Sequence, residues 1–259
     1  MEEASPWRAV ALVFTESEAG WRTANGLRGR TRRVAGATEV ATIVDQLRAV
    51  PDAVSAWSDG SASLHLVDVR LAGRPIVSMS PTSPDRLWVG PEDVRPEIDG
   101  LGRLGRVDSV IVVWPSDGHV PLCGWGCSIG PSGAARGSGF SSIVSDEWRD
   151  HARRPFPMEG FVHEWLHQVE GALQQRGVGP DAVPSLHAAE VLTSCRSEAE
   201  PPFGQSYRRW HDRNPAGHSW QEWYGDWMTG RVRRPDGRGC FGLTPDLWRL
   251  ARTGFGSGR

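Results

Sequence analysis

The chain has 259 residues, 39% of them apolar and 23% charged, with a formal net charge of −2. That length suffices for a sizeable core, and the near-neutral balance gives no electrostatic case for nucleic acid or an anionic membrane as partner. All 29 basic residues are arginine, which excludes mechanisms that need a lysine, such as a Walker-type phosphate loop or a Schiff base. No stretch approaches the roughly eighteen apolar residues of a membrane span. The N-terminal MEEASPWRAVALVF opens on two glutamates and carries only a short apolar run, which argues against a secretory signal. The expectation is a cytoplasmic protein whose four cysteines, Cys123, Cys127, Cys195 and Cys240, are reduced thiols.

In chain order, residues 7–14 (WRAVALVF) read as a first strand. Arg30-Thr31-Arg32-Arg33 is a small basic run, read as a solvated loop. Thr38 is placed to cap a helix from Glu39 to Val50, with Val40, Ile43, Val44 and Leu47 on one face and Pro51 as its stop. Residues 63–71 alternate as a strand, and Arg74 to Met79 are expected to pair with them after an Ala72-Gly73 turn. A short helix is expected from Asp93 to Gly100. The β-branched run from Val107 to Trp114 predicts a strand buried on both faces. A glycine-rich stretch, 124–139, and a short strand, 140–144, follow. Near residue 150 the composition turns from strand-rich to helix-rich. One catalytic domain over 1–259 is expected, with a strand-rich part (1–150), a helix-rich part (151–259) and a cleft between them.

Residues 163–167 read His-Glu-Trp-Leu-His. On a helix, positions i and i+4 lie about 40° apart around the axis, so both imidazoles point the same way. That spacing lets two neutral nitrogens reach one zinc ion at about 2.0–2.1 Å. Glu164 stands beside the first of them, where it can take a proton from a metal-bound water. Val162, Leu166, Val169 and Leu173 form an apolar arc, while His163, Glu164, His167 and Glu170 fall opposite, and Gly177 offers a C-terminal cap.

With this motif the chain resembles the zincin superfamily of metallopeptidases, over about residues 105–230. The resemblance implies an α/β, zincin-like fold with a mixed sheet, His163 and His167 as zinc ligands and Glu164 as general base. It also implies a strand at the cleft rim near Trp125 to Ile129 that holds an extended substrate. The short metzincin pattern is excluded, because Glu170 and Leu173 stand where that group has glycine and a third histidine. Asp226 to Gly230 is a candidate methionine turn beneath the metal.

A catalytic zinc takes three protein ligands and keeps one position open. Twenty residues after His167 comes Leu186-His187-Ala188-Ala189-Glu190, read as a later helix with His187 and Glu190 on one face. His187 is the first choice for third ligand. Glu190 and His211 are alternatives, with Glu170, His218 and Glu222 behind them. Glu170 is otherwise read as a solvated side chain. Tyr224 and His211 are candidates to assist the developing oxyanion, with core packing the competing reading for Tyr224. Cys123 and Cys127 are read as two small residues in a tight strand in preference to a metal pair or a local disulfide. The sequence thus points to zinc-assisted hydrolysis of a peptide or small amide. The alternatives are a zinc enzyme acting on a small metabolite and a zinc-stabilised binding protein without turnover.

Overall fold

The computed structural model describes residues 6–123, 126–131, 137–145, 156–200, 202–213 and 220–255. Its strands are β1 (Trp7–Val13), β2 (Glu16–Arg22), β3 (Arg28–Val34), β4 (Leu64–Leu71), β5 (Ser80–Ser83), β6 (Arg86–Trp88), β7 (Ser109–Trp114), β8 (Gly126–Ile129), β9 (Gly139–Val144), β10 (Val232–Arg233) and β11 (Cys240–Phe241). Its helices are α1 (Ala37–Trp57), α2 (Arg95–Gly100), α3 (Glu159–Gln175), α4 (Tyr207–Arg213), α5 (Gln221–Thr229) and α6 (Pro245–Gly254). None of the described helices is long and apolar enough to cross a membrane.

The main sheet has the order β4-β1-β7-β9-β8. Its first four strands are parallel, and β8 runs antiparallel to β9 at the edge. Period-two alternation divides β1 and β7 between two cores. Ala9, Ala11, Val13, Ile111 and Val113 face one core, which continues through α1, α3, α5 and α6. Val10, Leu12, Phe14, Val110, Val112 and Trp114 face the other, closed by Ile76, Val94, Ile98 and Leu101. Double-sided burial explains why the 107–114 run lacks polar alternation. The first core joins residues from Trp7 to Phe255, so the strand-rich and helix-rich stretches share one interior.

Several local expectations are corrected. Helix α1 starts after Gly36, not Thr38, and runs through Pro51 to Trp57. Proline removes one intrahelical donor, but its fixed φ is helical, and burial of Ala53, Val54 and Trp57 carries the helix on. Residues 74–79 do not pair with β4: Ile76 bridges Ser17, and the hairpin falls later, between β5 and β6. The basic run Arg30–Arg33 is no loop but part of β3, paired in register with β2.

The cysteines are not free thiols. Cys195 pairs with Cys240 and Cys123 with Cys127, at Cα separations of 6.2 and 6.4 Å, within the ordinary disulfide range. The first bond ties the segment before α4 to β11, 45 residues on, and the second closes a five-residue loop at the start of the edge strand. The local Cys123–Cys127 bond is the alternative that the sequence reading sets aside, whereas the Cys195–Cys240 pairing depends on how the chain returns in space.

Candidate metal centre

Helix α3 carries the motif and is buried by its composition. Phe161, Val162, Trp165, Leu166, Val169, Ala172 and Leu173 all enter the core, and Gly177, at φ +78°, ends the helix as expected. Two glycines bring α3 against the sheet edge. A Cβ on Gly130 would stand 2.8 Å from the Gly171 backbone, and one on Gly171 2.9 Å from that of Gly130. The helix therefore lies beside β8 with His163 and His167 half-exposed above it.

His187 arrives from the other side. His163 Nε2 lies 3.1 Å from His167 Nε2, and His187 Nε2 lies 2.8 Å from His167 Nε2. One ligand atom from each of the three histidines falls within 4.8 Å of the others. Tetrahedral ligands at about 2.0–2.1 Å from a zinc ion stand about 3.3 Å apart, so the three imidazoles fit one ion of that size. Glu190 lines the same cavity but lies outside this cluster. The later helix expected around His187 is a turn followed by a short 3-10 segment, Ala188–Glu190. The His187 loop is held by other means: Trp223 Nε1 donates to the Leu186 carbonyl at 2.9 Å, and Trp227 Nε1 to that of Pro184 at 2.8 Å.

Glu170, read from sequence as solvated, is half-buried and bridges the segments that carry His167 and His187. Its Oε2 lies 2.9 Å from His167 Nδ1, and its Oε1 accepts from the Leu186 amide at 3.2 Å. Burial pushes its carboxyl up, but the His167 hydrogen bond and charge and the Leu186 amide outweigh that and hold it below its ordinary value. Tyr224, on α5, places its hydroxyl 3.1 Å from His163 Nδ1. These two contacts engage the δ nitrogens and leave the ε nitrogens to converge. Burial, with His167 and His187 close by, takes His163 well below the usual histidine range, and His187 is lowered mainly by burial. Neutral imidazole is the form that ligates a metal.

Glu164 points from α3 into the same cavity, where it accepts from Ser128 Oγ of β8 at 2.6 Å. Burial raises its carboxyl pKa, partly offset by Ser128 and His167, which moves it toward the range useful for proton transfer near neutrality. Ser128 Oγ also lies 2.8 Å from Ser141 Oγ of β9. Gln168, one turn along α3, donates to Ser141 Oγ and accepts from Ser109 Oγ at 2.6 Å. Buried serines in β7 and β9 thus satisfy Gln168 and steady the strand that faces the carboxylate.

Gly126 is the tightest point. A Cβ there would stand 2.7 Å from both Cδ and Oε1 of Glu164. Gly126→Ala is expected to displace that carboxylate and, in the hydrolase proposed below, to lower turnover at least ~10-fold while metal binding at the three histidines is retained, since none of them is touched. Turnover measured beside metal analysis checks this.

The cavity over the histidines holds about 450 Å³, with Arg208, Trp220 and Glu190 at its wall. A further depression continues past His167 along Ser128, Ile129, Gly130 and Gln174. The cleft therefore follows β8 on both sides of the histidines. The rim strand begins at Gly126, close to where sequence places it; Trp125 and His218 lie outside the described residues. His211 is stacked on Trp220 at 4.1 Å and is not part of the histidine cluster. The expected methionine turn is the end of helix α5, capped by Gly230 in the left-handed conformation, with Met228 buried in the core.

No protein-family model, curated protein or solved structure matches the chain.

Proposed function

We propose that this protein is a zinc-dependent hydrolase of peptide bonds with a zincin-like site, in which His163, His167 and His187 hold the metal and Glu164 is the base. The observation that carries this reading is the convergence of three imidazole nitrogens beside a buried carboxylate in one open cleft. Three histidines suit zinc and leave a position for water. When bound, zinc acidifies water and polarises a carbonyl. Glu164 takes a proton from the attacking water and returns it to the leaving amine. Tyr224 and Glu170 fix the two motif imidazoles through their δ nitrogens, and Glu170 also ties down the chain beside His187.

Two features favour an extended peptide over a small metabolite. The cleft continues on both sides of the histidines, and among the described residues β8 is an edge strand, paired on one side by β9. A free strand edge hydrogen-bonds to any extended backbone laid beside it. A purely structural metal site would close with a fourth protein ligand and has no use for a base. The two disulfides favour an oxidising compartment over the cytoplasm expected from sequence.

The test is cleavage of a library of end-blocked, internally quenched peptides by the zinc-loaded protein. Cleavage that stops on chelation and returns with zinc is the expected result. Zinc-loaded protein that leaves every peptide intact, or cleavage indifferent to chelator, contradicts the reading.

A further inference from the structure

The β2–β3 ribbon plays no part in the site just described. Its outward face carries Glu16, Glu18, Gly20 and Arg22 from β2 and Arg28, Arg30, Arg32 and Val34 from β3, all exposed. The register sets Arg22 directly opposite Arg28, Gly20 opposite Arg30, and Glu18 opposite Arg32. Among the described residues, none of these four arginine side chains has an ion pair or hydrogen bond. Arg33, by contrast, turns away to pair with Glu39 at 2.8 Å. Like charges placed directly across a ladder destabilise a sheet, so the Arg22/Arg28 pair costs the free protein stability. Positive charge is densest at the turn end, where Arg22, Arg28 and Arg30 have no acidic side chain opposite them in the ladder; Glu18 faces only Arg32.

The ribbon is also built to hold its shape. On its inner face Ser17, Ala19 and Thr31 are buried, and the Trp21 ring lies over Gly29, where a Cβ would stand 2.3 Å from it. Glu18 N donates to the Ile76 carbonyl and Asn25 N to that of Pro84, both at 2.8 Å, which anchors the strand and the turn to the body of the protein. Nothing lies within 4 Å of a Cβ built on Gly20, so the surface opposite Arg30 is open.

We propose that this face binds a linear anionic polysaccharide through Arg22, Arg28 and Arg30. Alternate residues on a strand are about 6.8 Å apart and facing residues about 5 Å apart, so the three arginines spring from a compact triangle of backbone positions. Guanidinium pairs bidentately with sulfate, phosphate and carboxylate groups, and a row of them suits a chain with repeated charges better than a single ion. The outer face has no aromatic side chain on which a base can stack, because Trp21 is turned inward. The ribbon exposes two large apolar side chains, Leu27 at the turn and Val34 at the opposite end, 56% and 65% accessible, and two isolated side chains are too little apolar surface to anchor in a bilayer. Two disulfides favour an oxidising compartment, a setting that suits a polysaccharide better than a nucleic acid as the polyanion.

The experiment is titration of the full chain with a size-defined heparin fragment over a range of salt concentrations. Wild type is expected to bind with salt-dependent affinity. Arg22→Gln/Arg28→Gln/Arg30→Gln is expected to lose at least ~10-fold, with a shallower dependence of log K on log salt, because fewer counterions are released. A control, Arg48→Gln/Arg249→Gln, removes exposed arginines that pair with Asp45 and Asp246 elsewhere and should bind as wild type does. Single replacements of Arg22, Arg28 and Arg30 give graded losses and stand in if the triple variant does not fold. The proposal is overturned if wild type does not bind, or if the arginine variants bind as tightly as wild type. Tighter binding to duplex DNA, or to vesicles rich in anionic lipid, than to heparin also overturns it. Metal content and peptide cleavage do not enter the readout, so the result is independent of the proposed activity.

Discussion

Glu164→Gln is expected to keep the metal and lose turnover by on the order of 10²–10⁴-fold, the usual contribution of a positioned base. The side chains are nearly isosteric, so the amide fits where the carboxylate sits against Gly126 and Ser128. Ser128 Oγ can still donate to the amide oxygen, so the strand next to α3 has no reason to move. What disappears is the basic oxygen. Turnover of a cleaved peptide, measured beside zinc content and thermal midpoint, separates this from a folding defect. Activity near wild type would show that another group takes the proton.

His187→Ala is expected to weaken zinc binding by more than ~100-fold and abolish cleavage, whereas Glu190→Ala has a smaller effect. The ordering follows from geometry. His187 Nε2 stands 2.8 Å from His167 Nε2, and Glu190 lines the cavity outside the three-histidine cluster. Supporting groups around a metal typically contribute 10–100-fold in affinity, and loss of one of three ligands should exceed that. The imidazole comes from a half-wrapped turn and not from a helix, so its removal leaves the Trp223 and Trp227 anchors of the loop in place. Zinc titration against a competing chelator gives both numbers. If Glu190→Ala strips the metal while His187→Ala does not, the ligand assignment is reversed.

The motif helix and the buried strand were legible in the sequence for the same reason: each carries a complete local signal. Residues 163–167 place chemistry at helical spacing on one face, and 107–114 is apolar without alternation because both faces of β7 are covered. His187 was reachable by its distance from His167, but its setting was not. A helix was expected there, and a turn held by two indole donors from α5 does the work, which no local pattern announces. Glu170 was misread because its partners, His167 Nδ1 and the Leu186 amide, are joined only after the loop returns. The same holds for the Cys195–Cys240 disulfide and for the β2–β3 ribbon, where seven residues rich in arginine have little apolar alternation and owe their strand to pairing with β2. Pro51 misled in the opposite sense, since burial of the residues beyond it outweighs one missing hydrogen bond.

The most direct measurement is the metal content of the full-length protein purified without added zinc, with His163→Ala prepared in parallel. A three-histidine centre predicts about one zinc per wild-type chain and a severe loss in the variant, since His163 Nε2, 3.1 Å from His167 Nε2, is one of its three donors. A wild-type chain that is metal-free and stays so after zinc is supplied would contradict the metal centre and, with it, the proposed hydrolase.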